Sequence, residues 1–175
     1  PNLVIAAPRD EMELRHLMYT AQLEGKGSFV IRYPRGRGSN IEWQCPFEEV
    51  PIGKGRKLRD GNSVAILSIG TTGVDVEKAI DSLSEERPDI SPAHYDMRFV
   101  KPIDEDILSE VAQSFKHIVT VEDGVRTGGF GTAVMEWLSE HGHSIPVTRL
   151  GLPDSFVEQG TVTQLKEIVG IDSES

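Results

Sequence analysis

Three arginines, Arg32, Arg35 and Arg37, sit close together in the stretch Ser-Phe-Val-Ile-Arg-Tyr-Pro-Arg-Gly-Arg-Gly at 28–38. A guanidinium is planar and permanently charged, and its fork can give two parallel hydrogen bonds to a phosphate or carboxylate. The residues ahead of them, Phe29, Val30 and Ile31, are aromatic or β-branched, as in a buried strand. Pro34 cannot donate a ladder hydrogen bond and biases Tyr33 towards extended backbone, which ends the strand. The cations therefore fall in a loop beyond a strand's carboxyl end, where open α/β sheets hold their ligands. Two readings stand at this point. The loop binds an anion, or the arginines terminate a strand, keep it soluble and pair with local acids.

Other stretches have a chemical reading and a structural one side by side. Gly70-Thr-Thr-Gly lies between an apolar run and a helical pattern, where backbone N–H groups and the helix dipole suit an anion. It lacks the spacing and the Lys-Ser/Thr of a P-loop, so a tight turn with a threonine cap is the simpler expectation. Glu122-Asp-Gly-Val-Arg-Thr-Gly-Gly-Phe-Gly puts two acids at a strand's end, where they need partners or a loop to cap. Its glycines allow close approach of a ligand, another subunit or the neighbouring loops. Lys54, Arg56, Lys57 and Arg59 form either a phosphate patch or the charged edge of a solvated hairpin. The histidines, His16, His94, His117, His141 and His143, show no metal-ligand spacing, and the last two fall where a helix should end and positive charge is favoured. No serine sits in a G-x-S-x-G elbow, and no Ser-His-Asp set can be argued. These residues offer anion-binding loops and no self-contained catalytic apparatus.

Composition narrows the classes further. Acids outnumber bases 28 to 18, a formal charge of −10, the wrong field for a general nucleic-acid or anionic-membrane binder. No apolar run reaches the length of a membrane span, and no signal-peptide pattern opens the chain. Cys45 is the single cysteine, which excludes an intrachain disulfide and a Cys-based zinc cluster. A cytoplasmic globular protein is expected. The chain opens at Pro1 and enters the apolar run Leu3-Val-Ile-Ala almost at once, so a piece of something longer is expected.

The elements that must position these residues follow from periodicity. After a first strand at 3–6, Asp10 and Glu13 form a capping-box pattern, and Leu14, Leu17, Met18 and Ala21 lie at helical spacing up to a stop at Gly25. With the strand at 28–32 this makes a parallel βαβ unit, too small to be a domain. Residues 39–62 change character, with short apolar pieces around Ile41 to Trp43 and a hairpin expected to close near Asp60-Gly61. From Ser63 strands and helices alternate. Strands are expected at 64–67, 93–99, 118–121 and 146–150. Helices carry Val76, Ala79, Ile80 and Leu83; Leu108, Val111, Ala112 and Phe115 behind an Asp104 cap; Val134, Trp137 and Leu138; and Leu165, Ile168 and Val169 behind a Thr161/Gln164 capping box. The fold class is α/β, a three-layer, mainly parallel sheet.

Several stretches taken in order carry a resemblance over essentially the whole chain. They are Pro8-Arg-Asp-Glu-x-Glu-Leu, Ile31-Arg-Tyr-Pro-Arg-Gly, Pro51-Ile-Gly-Lys-Gly, Tyr95-Asp-Met-Arg-Phe-Val-Lys-Pro-Ile-Asp, Val119-Thr-Val-Glu-Asp, Gly128-Gly-Phe-Gly and Gly151-Leu-Pro-Asp-x-Phe-x-x-Gln-Gly. Together they resemble the carboxyl-terminal portion of the 1-deoxy-D-xylulose-5-phosphate synthases, thiamine-diphosphate enzymes related to transketolase. The Glu-Asp…Gly-Gly-x-Gly pattern also resembles 2-oxoacid dehydrogenase beta subunits, and a non-catalytic dimerisation module is a further alternative.

The resemblance implies that 1–38 end a pyrimidine-binding (transketolase central) domain, 39–62 are linker and hairpin, and 63–175 are a transketolase C-terminal domain. It implies a transferase that joins pyruvate to glyceraldehyde 3-phosphate with loss of carbon dioxide, for isoprenoid, thiamine and pyridoxal biosynthesis. It implies a homodimer with no nucleic-acid or membrane partner. Thiamine diphosphate and Mg2+ are held in that family by a Gly-Asp-Gly…Asn motif, and a glutamate activates the cofactor ring. Neither can be placed in these 175 residues, so no catalytic, cofactor or metal residue is expected here and the chain alone is expected to be inactive. One family position carries over: Arg35 is implied as the ligand of the aldehyde's phosphate, with Arg32 and Tyr33 supporting the loop.

Overall fold

The computed structural model describes residues 1–36, 38 and 42–174. Its elements form two sheets, and the chain passes between them. The first is three-stranded, in the order β2-β1-β6, from β1 (Leu3–Ala6), β2 (Ser28–Ile31) and β6 (Phe99–Lys101). The second is five-stranded, in the order β3-β5-β4-β7-β8, from β3 (Arg56–Arg59), β4 (Ala65–Ile69), β5 (Ala93–Asp96), β7 (Ile118–Val125) and β8 (Val147–Leu152).

In the larger sheet β5, β4, β7 and β8 are parallel and β3 lies antiparallel on the edge. Alternation along β4 assigns its faces. Ala65, Leu67 and Ile69 join Leu108, Val111, Val134, Trp137 and Leu138 in the main core, so α3 (Glu105–Ser114) and α4 (Phe130–Glu140) cover one side. Ile66 turns to the other side, where Val76 and Ile80 of α2 (Thr72–Glu86) pack with Val121. This is the expected three-layer α/β arrangement. Asp104 caps α3 by accepting from the N–H groups of Asp106 and Ile107, and Thr161 and Gln164 form a full capping box on α5 (Val162–Val169).

The expected strand at 93–99 is two strands in different sheets. Arg98 adopts a left-handed φ of 56°, and this bend sends β6 away from β5 to pair antiparallel with β1. Phe99 is thereby buried with Val4, Ala6, Leu17 and Val50. A run of buried residues conceals such a switch, since Ala93, Tyr95, Met97 and Phe99 are all buried. The expected hairpin near Asp60-Gly61 is absent as well: β3 pairs with β5, two strands away in sequence, and not with β4.

The first helix, α1 (Glu11–Thr20), starts at Asp10, whose side chain accepts from the Glu13 N–H at 2.9 Å. It ends at Ala21, ahead of the expected stop at Gly25, and Met18 faces solvent while Glu13 and Thr20 are buried. Glu13 does not close the capping box. Its carboxylate accepts instead from the Arg9 N–H at 2.7 Å and from Arg98 Nε at 2.6 Å. Among the described residues no helix is long and apolar enough to cross a membrane.

Candidate functional site

A cleft of about 570 Å³ opens where the carboxyl ends of β1 and β2 meet the amino end of α2 and one side of α5. The loop after β2 supplies Tyr33, Pro34 and Arg35 to its wall. Arg35 is exposed and makes no hydrogen bond or ion pair with another described residue. Arg32, three residues earlier, turns to the second sheet and pairs with Asp123 at the end of β7, Nη2 to Oδ2 at 3.3 Å. Arg37 lies outside the described residues, as does Ile41. Arg32 and Arg35 thus part company, with Arg35 lining the cleft and Arg32 used as a strut.

The other charges of the cleft are mutually compensated. Lys166 of α5 and Lys78 of α2 both pair with Asp75. Arg9 bonds Asp10 at 3.2 Å, and Asp10 also caps α1. Glu11 seats against the backbone of Gly38 so closely that a Cβ there would meet its Oε1 at 1.3 Å. Among the described residues that line the cleft, Arg35 is thus a guanidinium with no acid paired to it. Among them, too, no group of three or more His, Cys, Asp or Glu side chains is placed to hold a metal. A diphosphate with its magnesium needs open carboxylate and carbonyl ligands, and cleft acids engaged by cations, caps and backbone do not fit it.

The motifs that had two readings resolve through their packing. Thr72 donates to the carbonyls of Ile69 (3.0 Å) and Val121 (3.3 Å), so the Gly70-Thr-Thr-Gly turn ties α2 to the sheet. The expected threonine cap is not formed, since Thr71 makes no side-chain cap bond. Glu122 is buried, and its carboxylate accepts from the N–H groups of Phe130 (2.8 Å) and Gly131 (2.9 Å), capping α4. A Cβ at Gly129 would lie 2.2 Å from that carboxylate, and one at Gly131 would lie 2.5 Å from Thr120 Oγ1. These glycines admit the protein's own side chains.

The basic run around β3 is ion-paired throughout: Lys54 with Asp104 and Asp106, Lys57 with Asp60 and Glu110, and Arg59 with Asp81. It is an edge strand bound to its neighbours by charge, without a free cation for a phosphate. His141 stacks on Trp137 at 4.1 Å at the end of α4.

Two polar arrangements escaped the sequence reading because their members are far apart in the chain. Glu77, His94 and Ser68 form a hydrogen-bonded line, with His94 Nε2 2.7 Å from Ser68 Oγ. The order is that of a nucleophile relay, but Ser68 and His94 are 0% exposed, so no substrate reaches the hydroxyl. The line satisfies polar groups inside the domain, and burial holds His94 below its ordinary value in spite of Glu77.

The second arrangement joins the two sheets. Glu13 of α1 and Asp96 of β5, both buried, share Arg98, Arg56 and Arg9. Burial first, and then the Glu13 carboxylate, push the Asp96 acid up to about 8 against the pull of the arginines. The folded chain therefore keeps a proton there that an ordinary unfolded aspartate releases above about pH 4. This contribution to stability is fully present below about pH 4 and is lost as pH rises towards 8. His94 acts oppositely, costing stability below about pH 6.5. The expected result is that urea stability of Asp96→Asn falls less than that of the parent between about pH 6.5 and pH 8.

Known proteins align with this architecture. The family described as transketolase, C-terminal domain, matches residues 53–175. The 1-deoxy-D-xylulose-5-phosphate synthase of Bacteroides fragilis is 53% identical over 99% of the chain, and that of Cytophaga hutchinsonii is 55% identical over all of it. The chain spans 27% of the length of each. Among solved structures, a split-gene transketolase, described as an inactive beta4 tetramer, superposes with a TM-score of 0.86. It is 33% identical, and the match covers 99% of this chain and 55% of that one.

Proposed function

The chain belongs to the transketolase C-terminal domain family, and from that premise we propose that it is part of a 1-deoxy-D-xylulose-5-phosphate synthase. The whole enzyme would join pyruvate to glyceraldehyde 3-phosphate and release carbon dioxide, with thiamine diphosphate and Mg2+ bound by residues outside this chain. Identity of 50–55% to several such synthases along the full chain supports this reading. The observation that carries the site is the uncompensated Arg35 guanidinium in the cleft beyond β2. Its role is to hold the aldehyde's phosphate. A charge-assisted fork on a non-reacting part of the substrate supplies orientation and remote binding energy and makes no bond.

In this reading residues 1–38 are the end of the pyrimidine-binding domain, 39–62 connect, and 63–175 form the C-terminal domain, with β6 returning to complete the earlier sheet. The enzyme would be a cytoplasmic homodimer without nucleic-acid or membrane partners. The inactive assembly of the split-gene transketolase supports a chain that self-associates and is silent without the rest of its active site. Isothermal calorimetry of the 175-residue chain with thiamine diphosphate and Mg2+ is expected to show no binding. A micromolar dissociation constant would overturn the assignment of the cofactor site to residues elsewhere.

A further inference from the structure

We propose that Arg32 and Asp123 are a positioning pair for the phosphate-binding loop, with Arg32 also cancelling a carboxylate that β7 presents to the cleft. The inference rests on the phosphate reading of Arg35. Arg32 still belongs to the sheet, its N–H bonding the Ala6 carbonyl at 2.8 Å. Beyond it, residues 33–36 make no backbone–backbone hydrogen bond with other described residues. The Arg32 side chain ties the start of this segment to the second sheet.

The Arg32 guanidinium reaches across to the second sheet and bonds both the Asp123 carboxylate and the Asp123 carbonyl. Both contacts are made by one nitrogen, Nη2, which holds that end of the guanidinium against β7. The anchor is itself held. The adjacent Glu122 is bound to the start of α4, and the Arg126 N–H bonds the Leu152 carbonyl at 3.0 Å. The Glu122-Asp123 pair thus divides its work, the first acid capping a helix and the second receiving Arg32.

Charge adds a second effect. Asp123 lines the same cleft as Arg35. A phosphate arriving at Arg35 meets that carboxylate, and Arg32 neutralises it. Losing Arg32 removes the strut and also exposes the repulsion, whereas losing the Asp123 charge removes only the strut. The two substitutions are then not additive, as expected for groups in direct contact.

The test is steady-state kinetics of the full-length enzyme with glyceraldehyde 3-phosphate and with unphosphorylated glyceraldehyde as acceptors. R32A is expected to raise KM for the phosphorylated acceptor about fivefold and D123N about threefold, sizes suited to a half-exposed pair. The double variant is expected near threefold, better than R32A alone. KM and kcat for unphosphorylated glyceraldehyde should hold, which a general loss of folding would not allow. Multiplying effects in the double variant, or equal losses with both acceptors, would overturn the pair. R35A separates the levels: if it fails to discriminate between the acceptors, the phosphate reading falls and takes the pair with it. If R35A discriminates while R32A and D123N do nothing, the pair alone is refuted.

Discussion

Arg35→Ala in the full-length enzyme is expected to lower kcat/KM for glyceraldehyde 3-phosphate about ten- to a hundred-fold while leaving the KM for pyruvate nearly unchanged. The size follows from the loss of a hydrogen bond to a charged group, about 1.5–3 kcal/mol, at about 1.4 kcal/mol per factor of ten. It applies in full because Arg35 has no protein partner among the described residues to rearrange onto, and because the nearby Lys166 and Lys78 are held by Asp75. The loss should sit in both kcat and KM. A phosphate that no longer anchors the acceptor costs binding, and it also costs the alignment of the aldehyde carbon. Equal losses for both substrates would remove Arg35 from the phosphate site.

A change far from that loop should produce the largest effect on folding. Glu13→Gln is expected to destabilise the chain by about 3–5 kcal/mol, the usual cost of breaking a buried ion pair from one side. Glu13 is 2% exposed and accepts from Arg98 Nε and from the Arg9 N–H, with Arg56 at 3.5 Å. The amide keeps the size and one acceptor, but it leaves the arginines at the sheet junction facing Asp96 alone. Urea denaturation followed by circular dichroism measures it, and a shift within about 1 kcal/mol would show that the junction is held by Phe99 and its apolar neighbours. The junction also shapes the cleft, since Glu13 fixes the Arg9 backbone from which Pro8, Arg9 and Asp10 line the wall.

Where residues act on near neighbours in the chain, the sequence was legible. The Asp10, Asp104 and Thr161 caps depend on N–H groups two or three residues away, and all are formed. The layers of the larger sheet followed from alternation, and the strand ending at Pro34 placed Arg35 beyond a carboxyl edge. The family resemblance rested on short motifs and pointed to the same residue. Where a residue's partner lies far along the chain, the reading stayed open or failed. Met18 has the right spacing for a buried face, but it stays half exposed. The 93–99 run reads as one strand because residues on both sides of Arg98 are buried, and their separation depends on the bend there.

Residue chemistry and periodicity alone were enough for an α/β fold and for a cationic loop at 28–38. They could not say which arginine meets a ligand, because all are permanently charged and lie within a few residues of one another. The second sheet tells two of them apart: Asp123 arrives 91 residues later in sequence and takes Arg32, while Arg35 lines the cleft. The same holds for the Glu122–Gly131 stretch, where a ligand, a subunit and a helix terminus all satisfy an acid followed by glycines. Folding brought α4 onto the Glu122 carboxylate, because a buried acid is stable only where donors meet it.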